Sequence, residues 1–133
     1  MVKQFHFNRN EAEHCLNLIG KNNPKDNMMF LGNNNKKEEV FLMLHGTLDG
    51  RVQYNNVLLN LEQLYQVLKK EDTFYLITQV WGIKCINIIC CHSYYIDNYE
   101  EDGISLKTVF NNKEYVEVTL DTTTNECCFK EVA

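Results

Sequence analysis

The sequence lacks the features that mark membrane and nucleic-acid-binding proteins. No apolar run reaches the roughly 18 residues that a membrane-spanning helix needs, and the segment Met1–Phe7 has no signal-peptide apolar core. Basic residues are also in the minority, with 13 lysines and arginines against 18 aspartates and glutamates and a net charge of −5. Nucleic-acid binders usually present a basic face. We therefore expect a cytoplasmic protein that binds neither nucleic acid nor membrane.

Motifs for metals and phosphate-bearing cofactors are missing as well. The sequence has no Cys-x-x-Cys, no His-x-x-x-His and no glycine-rich phosphate loop. Its six cysteines include two adjacent pairs, and neighbours on a strand point to opposite faces, so we expect reduced thiols rather than a disulfide framework. We expect neither metal nor cofactor. A zinc site is the less favoured alternative; it would use Cys90, Cys91, His92, Cys127 and Cys128.

Length and composition indicate one folded domain. The chain has 133 residues, of which 44% are hydrophobic and 23% are charged, close to the averages for soluble globular proteins. We expect a single domain over residues 1–133.

The order of apolar segments predicts the fold. Strands are expected at Gln4–Phe7, Met28–Leu31, Val40–Leu44 and Ile83–Cys91, and helices over residues 11–19 and from Leu61 to Lys69 after an N-cap at Asn60. Tyr115–Leu120 and Cys127–Val132 read as an antiparallel hairpin. Two segments stay open: Thr47–Asn56 as a loop or small hairpin, and Phe74–Val80 as a strand or helix. Strands alternating with amphipathic helices predict an α/β three-layer sandwich with a mostly parallel central sheet plus a C-terminal antiparallel hairpin.

Residues with catalytic potential stand at the ends of two of these strands. His45 follows one apolar strand, and Cys91 ends the next. If the strands are parallel neighbours, their carboxyl ends meet at one edge of the sheet, where α/β proteins bind ligands. A cysteine nucleophile needs a base, and histidine commonly serves. The pair therefore predicts a His–Cys dyad.

Three stretches around this pair carry a family resemblance: VFLMLHG (Val40–Gly46), NLEQLYQVLKK (Asn60–Lys70) and IKCINIICCHS (Ile83–Ser93). Together they resemble the core of the caspase-like cysteine peptidases, a clan that includes caspases, clostripain-like enzymes, separase-type domains and self-processing domains of bacterial toxins. The pattern is a strand ending in His-Gly, a helix, and a second strand ending in a catalytic cysteine between small residues. The full Gln-Ala-Cys-x-Gly motif of caspases is absent.

The resemblance implies a cysteine endopeptidase that acts on a protein or peptide and needs no cofactor. By this match His45 is the base, Cys91 is the nucleophile, and the N–H groups of Gly46 and Cys91 hold the oxyanion. Cys90 and Ser93 take the two small-residue positions beside the nucleophile.

Three alternatives remain open at this level. Cys90 competes with Cys91 as nucleophile, because a one-residue shift exchanges their faces. His92 is a weaker candidate base, since neighbours on a strand point apart. Finally, the chain could be a non-catalytic interaction protein on the same fold, either an adaptor or a phage- or pathogen-encoded inhibitor of a host or defence protein.

Overall fold

The computed structural model describes residues 4–8, 22–23, 27–34, 37–121 and 126–131, and the side chains of residues 39–116. The helix predicted over residues 11–19 lies outside the described residues. Within them, no helix is long and apolar enough to cross a bilayer.

A six-stranded mixed sheet forms the centre of the described fold. Its strands, numbered in chain order, are β2 (Asn22–Asn23), β3 (Asn27–Asn34), β4 (Lys37–Met43), β8 (Cys85–Ile89), β9 (Tyr99–Glu101) and β10 (Ile104–Thr108). They lie in the order β2-β3-β4-β8-β10-β9. The three central strands, β4, β8 and β10, run parallel, and the outer pairs are antiparallel. The α/β class and the parallel strands at the centre of the sheet are thereby confirmed.

Unbroken apolar runs explain why β4 and β8 occupy the middle of this sheet. Val40, Phe41 and Leu42 have no exposed surface, and Ile88 and Ile89 are equally buried. A strand that is covered on both faces carries apolar side chains on both of them. Its sequence is therefore a continuous apolar segment and not an alternation of apolar and polar residues. The core therefore lies around the two strands that end at the candidate dyad.

Two smaller antiparallel sheets complete the described strands. β1 (Gln4–Asn8), β11 (Val116–Asp121) and β12 (Glu126–Glu131) form one, in which β11 and β12 are the predicted C-terminal hairpin. β5 (His45–Gly46), β6 (Val52–Tyr54) and β7 (Val57–Leu59) form the other. The sequence allows either a loop or a small hairpin over Thr47–Asn56, and this second sheet shows that the segment contains a hairpin.

The helix α1 (Leu61–Leu68) begins where the sequence predicts. Asn60 accepts a hydrogen bond from the Gln63 N–H at 2.8 Å, and the Gln63 side chain accepts one from the Asn60 N–H at 2.9 Å. This reciprocal pair satisfies two N–H groups that the helix itself leaves without partners. The apolar stripe of α1 is buried; its members are Leu61, Leu64, Tyr65 and Leu68.

Phe74–Val80, the segment for which the sequence allows either a strand or a helix, is helical. α2 (Asp72–Tyr75) continues directly into a π-helical turn, Leu76–Val80, and the chain then reverses at Gly82 to enter β8. Phe74 and Ile77 are buried and form the inner side of this helical stretch. The connection from β4 to β8 is therefore a small sheet followed by two helical segments.

Candidate active site

The two central strands end side by side, shortly before His45 and Cys91. β4 and β8 pair in parallel, with Met43 opposite Ile89, and the Leu44 N–H donates to the Ile89 carbonyl at 2.9 Å. Beyond this pair the two chains leave the ladder: His45 begins β5, which pairs with β6, and Cys91 lies two residues after the end of β8. His45 is exposed, whereas Cys91 is half-buried. The parallel pairing therefore brings together the segments that lead into His45 and Cys91, at the carboxyl ends of β4 and β8.

Gly46 packs directly against the backbone of Cys91. A Cβ atom built on Gly46 would lie 2.0 Å from the carbonyl oxygen of Cys91 and 3.2 Å from the Cβ of Cys90. Real Cβ atoms do not come this close to backbone oxygens, so any side chain at position 46 would push the strand ends apart. The His-Gly dipeptide is thus explained first by packing: only glycine allows the two strand ends to touch.

The pairing of β5 with β6 sets the direction of the Gly46 N–H. The Thr47 N–H donates to the Arg51 carbonyl at 2.9 Å, and Gly46 is the next residue, opposite Val52. In an antiparallel ladder, hydrogen-bonded and non-hydrogen-bonded pairs alternate. Gly46 and Val52 are therefore a non-hydrogen-bonded pair, and the Gly46 N–H is directed away from β6.

The two adjacent cysteines have different environments. Cys90 is 2% exposed, and burial, with a smaller contribution from neighbouring Cys91, raises the pKa of its thiol to about 12. Cys91 is half-buried, and its Sγ accepts a hydrogen bond from the Val116 N–H at 3.4 Å. Cys90 is thus a neutral core thiol at physiological pH, whereas Cys91 stands at the border between core and surface.

Residues 112–116 fold over the turn that follows Cys91, and we name them the cover segment. The His92 N–H donates to the Glu114 carbonyl at 2.8 Å, and the Tyr94 N–H donates to the Asn112 carbonyl at 2.9 Å. Ser93 and Asn112 are buried and bond to each other: the Ser93 hydroxyl donates to Asn112 Oδ1 and accepts from the Asn112 N–H at 3.1 Å. These bonds hold the start of β11 against the candidate nucleophile.

His92, the alternative base, is engaged in the same contact. It adopts the left-handed conformation, with φ of +58°. Its Nδ1 lies 2.7 Å from the carbonyl oxygen of Lys113, and its ring packs against Tyr115 with centroids 5.5 Å apart. The left-handed residue reverses the chain after Cys91, and the ring faces the cover segment.

A small, partly open apolar pocket lies at the meeting point of the strand ends. Its volume is about 150 Å³. The apolar part of its lining is Met43, Leu44, Ile89 and Val116, and the remaining residues around it are His45, Cys90 and Cys91. Both members of the predicted dyad therefore border the same cavity.

Sequence analysis did not identify Val116 or Asn112 as site residues. Val116 was part of a predicted strand, but nothing in the order of residues shows that its N–H reaches Cys91, 25 positions away. Asn112 lies in a polar stretch, and its burial depends on the fold of the turn at Ser93. Both contacts are tertiary and leave no local pattern.

The described residues offer no metal centre. Among residues 39–116, no three histidine, cysteine, aspartate or glutamate side chains cluster in a way that could hold an ion. Cys85, Cys90 and Cys91 are free thiols. The alternative zinc site also needs Cys127 and Cys128. These two residues belong to β12, in the sheet of β1, β12 and β11, and their side chains lie outside the described residues.

No protein-family model, curated protein or solved structure matches this chain.

Proposed function

We propose that the protein is a cysteine endopeptidase of caspase-like architecture, a three-layer α/β sandwich with a His45–Cys91 dyad. The observation that carries this proposal is the parallel pairing of β4 and β8, whose carboxyl ends lead into His45 and Cys91. The pocket that both residues border supports it further.

The proposed reaction follows the general chemistry of cysteine acyl transfer. His45 takes the proton of the Cys91 thiol, and the thiolate forms a bond to the scissile carbonyl carbon. The peptide C–N bond then breaks, and His45 returns the proton to the departing amine. Water, deprotonated by His45, attacks the thioester in the second step, which releases the carboxylic acid and restores the thiol. The donors for the oxyanion are the N–H groups of Gly46 and Cys91.

The environments of the two cysteines favour Cys91 as the nucleophile. The thiolate is the reactive form of cysteine, and deep burial disfavours it at Cys90, where the thiol pKa is raised to about 12. Cys91 is partly accessible, and its Sγ already accepts a backbone hydrogen bond from Val116.

Peptide cleavage by matched cysteine variants tests the proposal. The wild-type protein, Cys91→Ala and Cys85→Ala are incubated with a mixture of unstructured peptides, and new termini are identified by mass spectrometry. Cys85 is the control, because it is a half-buried free thiol at the opposite end of β8. We expect cleavage by the wild type and by Cys85→Ala, and none by Cys91→Ala. Cleavage that survives in Cys91→Ala would show that the nucleophile is wrongly assigned.

One observation favours a second candidate function, a non-catalytic interaction protein. Tyr94, Tyr95 and Tyr115 are 52%, 42% and 59% exposed, and all three lie in the cover segment or the turn beneath it. Exposed tyrosines are enriched at protein interfaces. Under this hypothesis, Cys91→Ala retains a protein partner at undiminished strength, a Tyr94→Ala and Tyr115→Ala double variant loses it, and no peptide is cleaved.

A further inference from the structure

The pocket at the strand ends has the chemistry of a side-chain binding site. Its walls come from Met43 and Ile89, which are opposed in the β4–β8 register, and from Val116 at the start of β11. Among the residues whose side chains are described, no lysine, arginine, aspartate or glutamate lines it. An engineered apolar cavity of the same size, about 150 Å³, accepts benzene. A pocket of this size and lining therefore has room for an aliphatic side chain.

We infer that this pocket binds an aliphatic side chain of the substrate, of valine or leucine size, at the residue whose carbonyl Cys91 attacks. The inference rests on the proposed function, because it takes Cys91 as the nucleophile. Val116 contributes twice: its N–H donates to Cys91 Sγ, and the residue lines the pocket. A side chain held between Met43, Ile89 and Val116 therefore lies beside the reacting sulfur.

The same lining disfavours a charged side chain. A carboxylate or guanidinium that enters this pocket loses its hydration, and the described lining has no lysine, arginine, aspartate or glutamate to pair with it. Its burial therefore costs far more than that of an aliphatic group. Even a single methylene changes selection in apolar pockets by about tenfold or more. The inferred specificity is therefore for aliphatic against charged residues.

Reaction of Cys91 with peptide-like electrophiles tests the inference. Acetyl-leucine, acetyl-aspartate and acetyl-arginine chloromethyl ketones are added to the wild-type protein, and modification of Cys91 is followed by intact mass and peptide mapping. Each rate is divided by the rate of the same reagent with glutathione, which removes differences in intrinsic reactivity. We expect the normalised leucine rate to exceed both charged reagents by about tenfold or more.

Two substitutions to phenylalanine separate the pocket from general effects. Val116→Phe fills the pocket, and we expect the leucine preference to fall to about threefold or less. Val80→Phe is the matched control, because Val80 is 62% exposed and lies on the π-helical turn; it should keep the wild-type preference. If circular dichroism shows that Val116→Phe does not fold, Val116→Ala enlarges the pocket instead and should shift the preference from the leucine to a phenylalanine reagent.

The outcomes distinguish the two levels of the proposal. Fast modification of Cys91 without preference, or with preference for a charged reagent, would overturn the pocket assignment and leave the dyad standing. An unchanged leucine preference in the folded Val116 variant would also overturn the pocket assignment. If no reagent modifies Cys91 in the native protein faster than it modifies glutathione, the proposed function fails, and the pocket assignment fails with it.

Discussion

Replacement of Gly46 by alanine is the sharpest structural test of how the two strand ends meet. The added Cβ would sit 2.0 Å from the Cys91 carbonyl oxygen and 3.1 Å from its carbonyl carbon. These are backbone atoms, which cannot rotate away as a flexible side chain could. The strand ends of β5 and β8 must therefore separate to admit one methyl group.

The expected magnitude follows from two opposing effects. Gly46 does not have a positive φ, so in open space alanine would stabilise the protein by about 0.4–1 kcal/mol through the unfolded chain. Overpacking costs about 1–3 kcal/mol and occasionally more, and contact with rigid backbone belongs at the upper end. We expect a net loss of about 2–3 kcal/mol, which corresponds to a fall in melting temperature of roughly 6–15 °C for a chain of this size.

Thermal melts and urea titrations of Gly46→Ala measure this loss, with Gly103→Ala as control. A Cβ at Gly103 meets no atom within 4 Å, but its φ of +77° makes alanine strained, at a cost of about 1–2 kcal/mol. The control should also leave alkylation of Cys91 unchanged, whereas Gly46→Ala should alter it. A Gly46→Ala protein that melts within about 2 °C of the wild type would refute the close contact.

Three further predictions concern stability. Ser93→Ala removes the buried partner of Asn112 and should lower the free energy of unfolding by about 1–3 kcal/mol in urea titrations; an unchanged midpoint would contradict the role of the Ser93–Asn112 hydrogen bonds in holding the cover segment. Asn60→Ala should cost about 1 kcal/mol by breaking the capping box, and helical circular dichroism should melt earlier; Gln63→Ala should lose part of the same energy. The pKa of Cys90 is raised on folding to about 12, so the stability it contributes is present below about pH 9 and is lost as the pH rises toward 12. Relative to Cys90→Val, the wild type should therefore lose urea resistance between pH 8 and 10, and parallel pH profiles would argue against burial of the thiol.

The sequence predicts the centre of the fold well because the signal there is strong. The apolar segments that form β4 and β8 have no polar face, which is typical of strands covered on both sides. The N-cap at Asn60 is likewise local chemistry, and the structure shows the hydrogen bonds it requires. The C-terminal hairpin has the alternation of a half-exposed strand and a turn before its partner.

The strand β10 was not predicted, although it is central and parallel to β8. Only Ile104 and Leu106 of its five residues are buried, Ser105 lies between them and Lys107 follows. So short an alternation of apolar and polar residues, inside a polar stretch, is a weak strand signal. One cue was present: Asp102-Gly103 joins β9 to β10 with both residues at positive φ. Asp-Gly between two strands is a strong hairpin signal.

The contacts around the candidate site were not predictable from the sequence. Residue order places His45 and Cys91 just after two apolar segments, and the structure shows that the strands formed there, β4 and β8, pair in parallel; the roles of the two residues stay a prediction. The backbone contact of Gly46 with Cys91 and the hydrogen bond from Val116 depend on packing between distant segments. No periodicity or motif records such contacts, because each joins parts of the chain that are far apart in sequence.

The pH dependence of Cys91 alkylation tests the dyad most directly. A thiol activated by a neighbouring imidazole reacts as thiolate below pH 7, where an ordinary cysteine is almost entirely protonated. Iodoacetamide modification of Cys91 is therefore followed from pH 5.5 to 8.5 by peptide mapping, in the wild type, in His45→Ala and in a His92→Ala control. The dyad predicts that alkylation remains fast below pH 7, slows markedly in His45→Ala and persists in His92→Ala. A native Cys91 that resists alkylation until the protein is denatured, or that reacts equally without His45, would contradict it.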